Sequence, residues 1–459
     1  MDRPSYGDGA PVAAIATALS ESALSVVRTS GSVELAARAF SRPERVRAAA
    51  GNSIVHGWVL GSDGARVDEV LASVFRAPRS YTGEDSVDFS CHGGVAAARA
   101  VLAALVAAGF REALPGEFTF RAFLNGKLDL TRAESVMELV GAKTDEARRR
   151  AIGRLSGDLQ SEISSVKDLL LLSLAAAELY LDYSEDDGVG AEAEEAAGRL
   201  PDRASVQEAA ARLDALASSY RMERLFRDGA TVAVAGKPNA GKSSLFNRLV
   251  REERSIVDAT PGTTRDWIEA WIAVEGVPLR LVDTAGLREA DHPIERMGVE
   301  RSLAVLGEAD LVLYLVDGTA GSDAEDEAFL AEPRRARVIR VWTKADAGAG
   351  RPPEGWIATS ARSGLGIAEL ASAMVALLEE GGNAGDKARA GIASERQKLL
   401  VDAAAAAVAE ALRLDAAHYP LDLIAPELRA AVDALGEITG EVSTEDMLET
   451  MFGRFCVGK

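Results

Sequence analysis

Gly236-Lys237-Pro238-Asn239-Ala240-Gly241-Lys242-Ser243 is the stretch on which the reading of this chain turns. It fits the pattern G-x-x-x-x-G-K-S and follows an apolar run at 230–235, with a helical stretch after it. Glycines in such a loop let backbone N–H groups close around phosphate oxygens at the positive end of a helix. In this pattern Lys242 reaches the β and γ oxygens and Ser243 ligates Mg2+. The remaining loop positions on that nucleotide surface are Asn239, Ala240, Gly241 and Ser244.

Four further motifs follow in order. Pro261-Gly262-Thr263-Thr264-Arg265-Asp266 supplies a switch threonine for Mg2+ and the γ-phosphate. Asp283-Thr284-Ala285-Gly286 closes an apolar run at 279–282, with Asp283 toward the metal and Gly286 toward the γ-phosphate. Thr343-Lys344-Ala345-Asp346 closes the run at 338–342, and Asp346 there accepts two hydrogen bonds from guanine; adenine lacks those donors. Ser360-Ala361-Arg362 is the last base-side motif. The set implies GTP as ligand and hydrolysis as chemistry. Two positions depart from the usual pattern. Thr343 replaces an asparagine, which keeps a tie within the loop and loses one amide contact. Leu287 stands where Ras-like proteins place a water-orienting glutamine. Glu289, Asp291 and Glu295 are the nearby carboxylates able to take that task, and spacing does not choose among them.

Around this centre, about 227–380, continuous apolar runs alternate with helical stretches, as in a parallel sheet covered on both faces. With 459 residues the chain has room for three domains of roughly 150 residues each. Strand-like runs at 12–16, 24–27, 54–60 and 87–91, with a helix at 93–109, predict a mixed N-terminal domain over 1–125. Helical periodicity holds from 128 to 183 and over 205–226, with an acidic Gly- and Ala-rich linker at 184–201. It returns at 394–411 and 427–435 after a linker at 381–391. The expected division is 1–125, a helical part at 126–226, the nucleotide module at 227–380 and a second helical part at 381–459.

The net charge of −20 argues against a protein that grips nucleic acid over its whole surface. An RNA partner then needs a local basic patch or another subunit, and the Arg148, Arg149, Arg150 and Arg154 cluster reads as a solvated helix face. Two cysteines, Cys91 and Cys456, are too few for a disulfide framework, and the start of the chain carries no basic-then-apolar leader; a reducing cytoplasm is expected. The run at 169–174 is too short for a membrane helix, which needs ~20 residues. Cys91-His92 has no second Cys/His cluster to complete a metal site.

Outside the nucleotide module the motifs are more particular. They are Tyr81-Thr82-Gly83-Glu84-Asp85, Cys91-His92-Gly93-Gly94, Pro115-Gly116-Glu117-Phe118-Thr119, the run from Arg121 to Leu130 around Asn125-Gly126-Lys127, and Phe455-Cys456-Val457-Gly458-Lys459. With them the whole chain resembles the tRNA-modification GTPase family MnmE (TrmE). The resemblance implies an α/β multidomain protein with an N-terminal α+β domain, a discontinuous α-helical domain and an inserted Ras-like P-loop GTPase domain. It further implies a K+-activated GTPase that forms a homodimer. K+ would be held by Asn239 with Asp258, Thr260 and Thr263, in a loop that also lays Ala259, Pro261 and Gly262 along the nucleotide. Mg2+ would be held by Ser243 and Thr264, and Glu295 matches the position of the catalytic glutamate, beside Lys242 and Thr264. In the N-terminal domain Arg28, Asp88, Lys127 and Lys459 match positions that contact a tetrahydrofolate, the 5,10-methylene form or a formyl analogue. Asp88 stands where glutamate is usual, and residues 20–25 lack the glycines many relatives have. The implied reaction, with a flavin-dependent partner (MnmG, GidA), adds an aminomethyl or carboxymethylaminomethyl group to C5 of the wobble uridine of certain tRNAs, with no membrane involved. Two other functions stay open. A ribosome-assembly GTPase predicts a basic C-terminal RNA-binding domain, whereas 391–459 is rich in acids such as Asp402, Asp415, Asp433 and Glu437. A non-catalytic folate-binding scaffold has Thr343 as its support.

Overall fold

The computed structural model describes residues 6, 9–184, 200–255, 269–283, 305–348, 350–379 and 391–458. In chain order the N-terminal elements are β1 (Val12–Ile15), β2 (Leu24–Ser30), α1 (Val33–Arg38), α2 (Pro43–Ala48), β3 (Ser53–Leu60), β4 (Arg66–Phe75), β5 (Ser86–His92), α3 (Val95–Ala107), β6 (Arg111–Glu112) and α4 (Glu117–Leu124). Helices α5 (Leu130–Gly141), α6 (Asp145–Ser156), α7 (Asp158–Ser184) and α8 (Arg203–Asp228) follow. Next come β7 (Ala230–Gly236), α9 (Lys242–Glu252), β8 (Arg254–Ser255), β9 (Glu269–Val274), β10 (Val277–Asp283), β11 (Leu311–Asp317), α10 (Ala324–Ala331), β12 (Arg337–Thr343), β13 (Trp356–Ala358) and α11 (Ile367–Glu379). The chain continues with α12 (Glu395–Ala416), α13 (Leu421–Thr439) and α14 (Glu445–Phe452). It divides into two compact units: Met1–Met137 with Leu435–Lys459, and Glu138–Ala434.

Unit 1 holds a six-stranded sheet in the order β3-β4-β5-β2-β1-β6. All neighbours are antiparallel except β1 and β6. The strands alternate because one face packs on helices: Val27, Val59, Val70, Phe89 and Cys91 point into a core with Phe40, Val101 and Leu105. The opposite face carries Arg28 and Asp88, directly paired across β2 and β5. A second apolar cluster joins Phe120 and Leu130 to Leu448, Phe452 and Phe455, so residues 435–459 complete this unit. Strand β4 was not anticipated, because Arg66, Asp68 and Glu69 break its apolar signal where the strand begins.

Unit 2 holds a seven-stranded sheet in the order β13-β12-β11-β7-β10-β9-β8. Pairing is parallel from β13 to β10 and antiparallel beyond. Its inner strands are buried on both faces, which explains the continuous apolar runs. One face packs Leu245, Leu249, Leu370 and Met374; the other packs Tyr314, Val316 and Trp342. Helix α8 packs against α7 and α12 and ends in Leu225 and Phe226, which enter the core of the sheet. The helices thus come from both sides of the sheet in sequence, an α-helical layer with a doubly wound domain inserted. Ser394 starts α12 with a capping box to Gln397. Helix α13 begins at Leu421, before Pro426, rather than after it. Among the described residues no helix is long and apolar enough to cross a membrane.

Candidate functional site

The parallel strands of unit 2 deliver the site residues at their C-terminal ends. β7 leads into the loop through Gly236, whose φ is +139°. A Cβ at Gly236 would lie 2.3 Å from the Leu315 carbonyl oxygen, so only glycine lets β7 turn this close to β11. The Lys237 carbonyl accepts the Ala240 N–H at 3.2 Å and closes a turn in which Asn239 sits at φ 63°. Asparagine is among the residues that tolerate this left-handed conformation. The turn leaves the Asn239 side chain exposed.

Lys242, at the first position of α9, donates to the carbonyls of Gly236 at 2.9 Å and Lys237 at 2.6 Å. The residue is buried, with its ammonium folded back onto the loop. The Ser243 hydroxyl donates to Asp283 Oδ2 at 2.8 Å. Asp283 is buried at the end of β10, in register with Val234. A hydroxyl and a carboxylate brought together in this way form the hard oxygen donor set that Mg2+ prefers.

Beside the loop lies a cavity of about 440 Å³, whose lining includes Gly241, Ser244, Thr343, Lys344, Asp346 and Ser360. Ala361 and Arg362 complete its rim. A hydrogen bond from Ser360, helped by the Arg362 charge, holds the Asp346 carboxyl below the usual carboxylate range. It stands ionised in the lining of the cavity. The Thr343 hydroxyl shares its proton between the carbonyls of Ala240 at 2.8 Å and Val316 at 3.0 Å. The threonine thus ties the phosphate loop to β11. Lys344 donates to Asp317 Oδ2 at 2.6 Å. Burial alone would raise the Asp317 pKa; its bonds with Lys344 and Thr319 outweigh burial and lower it.

Asp258, Ala259, Thr260, Pro261, Gly262, Thr263, Thr264, Thr284, Ala285, Gly286, Leu287, Glu289, Asp291 and Glu295 lie outside the described residues. The structure brings together the loop, Asp283 and the base-side groups. Sequence reasoning passed over Lys237, whose ammonium meets carboxylates of α10.

A second polar cluster lies on the outer face of the unit 1 sheet. Arg28 Nε stands 3.4 Å from Asp88 Oδ2, and its Nη1 donates to the Gly458 carbonyl at 3.4 Å. The guanidinium lies over the rings of Tyr81 and Phe118, at 5.4 and 5.7 Å from their centres. Burial raises the Asp88 pKa, and the Arg28 charge only partly offsets it. The Tyr81 hydroxyl bonds Thr119 at 2.9 Å. Lys127 donates to the Pro78 carbonyl at 3.0 Å, and Lys459 lies outside the described residues. Cys456 is exposed; Cys91 is buried.

The arginine cluster of α6 is compensated. Arg148 and Arg149 pair with Asp145, and Arg150 pairs with Glu146 and Glu223. Arg154 departs from the expected solvated face: it is buried between Glu138 and Glu223, at 2.7 and 2.6 Å.

A Walker-type loop occurs in many nucleotide-binding proteins; here it stands with Ser243 bonded to Asp283 at a strand end, and beside a cavity lined by Thr343, Lys344, Asp346 and Ser360. With this sheet order, the centre of unit 2 is a P-loop GTPase domain. The model described as GTP-binding protein TrmE N-terminus matches residues 11–127, and that of the MnmE helical domain matches residues 130–456. The tRNA modification GTPase MnmE of Treponema denticola is 44% identical, over 99% of this chain and 99% of that protein. Its counterpart in Parasynechococcus marenigrum is 43% identical, over 98% and 99%. The chain belongs to the MnmE family of tRNA modification GTPases. Among solved structures, Aquifex aeolicus Era is 25% identical, with 39% of this chain and 66% of that one covered, at a TM-score of 0.27. The G domain of T. maritima FeoB is 28% identical, with 32% and 97% covered, at a TM-score of 0.25.

Proposed function

We propose that this protein is a K+-activated GTPase acting in the cytoplasm on the wobble uridine of certain tRNAs. Working as a homodimer with the flavin-dependent MnmG (GidA), it adds an aminomethyl or carboxymethylaminomethyl group to C5. The carbon comes from 5,10-methylene-tetrahydrofolate or a formyl relative. The single observation that carries the GTPase part is the turn from Lys237 to Ala240, which holds the Asn239 backbone at φ 63° and leaves the residue exposed. The proposed domains are 1–125 for folate and dimerisation, 126–226 and 381–459 for the helical layer, and 227–380 for GTP.

On this reading Lys242 leaves its backbone carbonyls to meet the β and γ oxygens. Ser243 and Thr264 hold Mg2+, with Asp283 accepting from Ser243. Asn239, Asp258, Thr260 and Thr263 hold K+. When bound, these cations neutralise charge that develops on the transferring phosphoryl group. Glu295 orients the attacking water in place of the missing glutamine at Leu287. Asp346 and Ser360 fix the guanine. In unit 1, Arg28, Asp88, Lys127 and Lys459 hold the folate; Arg28 over two aromatic rings offers a cation and a flat apolar wall. The net charge of −20 fits a division of labour in which the partner holds much of the tRNA.

The test is GTP hydrolysis in KCl against NaCl at equal ionic strength, with Asn239→Ala alongside. An arginine finger is worth up to about 10⁵-fold, so K+ in that role raises the rate by ~100-fold or more, and the mutant loses the rise. Equal slow rates in both salts would sink the proposal.

A further inference from the structure

Lys237 occupies one of the variable positions of the phosphate loop, yet its surroundings are specific. Its ammonium is ion-paired with Asp323 and lies 3.4 Å from carboxylate oxygens of both Glu325 and Asp326. Two of these acids, Asp323 and Asp326, are held by bonds that do not involve Lys237. Asp323 is the N-cap of α10 and accepts the N–H groups of Glu325 at 2.9 Å and Asp326 at 3.2 Å. Asp326 returns the bond by accepting the Asp323 N–H at 3.0 Å, completing a capping box. Asp326 is also buried and takes the Tyr314 hydroxyl at 2.9 Å, while the Tyr314 ring stacks on Phe329. The start of α10 is an anionic seat closed by a capping box.

The backbone of the same residue holds the loop. The Lys237 carbonyl accepts both the Ala240 N–H, which closes the turn around Asn239, and the Lys242 ammonium. One residue therefore links the α10 seat to the two groups that meet nucleotide and cation.

We propose that Lys237 is a positioning residue for GTP hydrolysis: α10 holds its side chain so that its backbone keeps the turn around Asn239 closed and the loop preformed for the nucleotide. It acts through that turn and does not touch the substrate. The inference rests on the GTPase reading above.

Full-length Lys237→Met, Lys237→Arg and Asp323→Asn proteins test it. Asparagine still caps a helix, so Asp323→Asn removes the charge while keeping α10 intact. In the nucleotide-free protein, hydrogen exchange at the Ala240 amide speeds up in Lys237→Met and is restored in Lys237→Arg. In steady-state assays Lys237→Met raises the GTP KM and the half-activating K+ concentration about fivefold, with a smaller change in kcat. Asp323→Asn moves both in the same direction, by less. Unchanged Ala240 exchange in Lys237→Met, or an arginine variant as impaired as the methionine one, would overturn the inference. A wild-type rate indifferent to K+ would instead sink the proposed function, and the exchange measurement would still decide the role of Lys237.

Discussion

In the nucleotide site of unit 2 strand ends supply the frame: Gly236 closes β7 and leads into the loop and α9, Asp283 closes β10 and Thr343 closes β12. In the Arg28 cluster of unit 1 the groups come from β2, from β5 and from Gly458, which is 430 residues away from Arg28. The two sites are assembled by different means. Parallel pairing lines up the strand ends, so a short contiguous motif carries its own geometry into the pocket. The Arg28 cluster has no such local frame. It exists only when distant stretches of unit 1 have packed.

The largest test of this contrast is Lys242→Ala. On the proposed reading the ammonium exchanges its loop carbonyls for the β and γ oxygens, and a charge-assisted contact of that kind is worth about 1.5–3 kcal/mol, so the Kd for GTP rises roughly 10- to 100-fold. Fluorescent-nucleotide titration reads it, and melting of unit 1 stays where it was. A loss under about fivefold would break the idea that the strand-end loop works as a local device.

A middle-sized effect is expected from Thr343→Val. The carbonyls of Ala240 and Val316 lose their shared donor, which costs about 1–3 kcal/mol of unit 2 stability. Thr343→Ser keeps the hydroxyl and costs less. Thermal denaturation separates the two, and a neutral valine variant would show that the tie between loop and β11 lies elsewhere.

The smallest effect concerns Asp88 in unit 1. Its folded pKa lies above the unfolded value because burial outweighs Arg28. The folded state then binds the proton more tightly, so this group's contribution to stability falls as pH rises from the unfolded pKa through the folded one. Asp88→Asn therefore raises the melting temperature slightly at neutral pH, and the gain shrinks on acidification. A lower melting temperature for the variant at neutral pH would mean that the Arg28 pair outweighs burial.

The contrast also explains what the sequence disclosed. The strands β7, β10, β11 and β12 are apolar throughout because both faces are buried, and the phosphate motif has fixed spacing; both are local properties. The Arg28 cluster was reachable only through resemblance to a family, since nothing in the residues between Arg28 and Gly458 encodes their meeting. Strand β4 escaped notice because its first half carries charges on an exposed edge of the pattern. The start of α13 was placed too late because a proline normally opens a helix, whereas here Pro426 lies inside it. Arg154 looked like one of four surface arginines; its burial depends on Glu138 and Glu223, carried by two other helices. The Lys237 seat was equally invisible, because a variable loop position and an acidic helix start have no sequence relation.

The packing of Phe452 and Phe455 against Phe120 and Leu130 sets an order of events during synthesis. Unit 1 needs residues 435–459, and all of unit 2 is translated before they appear. Closing so long an insertion is cheap in free energy, since each doubling of a loop costs only about 0.6 kcal/mol. It is expensive in time. At a translation rate of about 5–20 residues per second, the apolar surface around Phe120 and Leu130 stays uncovered for tens of seconds on the ribosome. Unit 2, contiguous in sequence, finishes first, and the apolar faces of α4 and α5 are the part of this protein that a chaperone would have reason to hold.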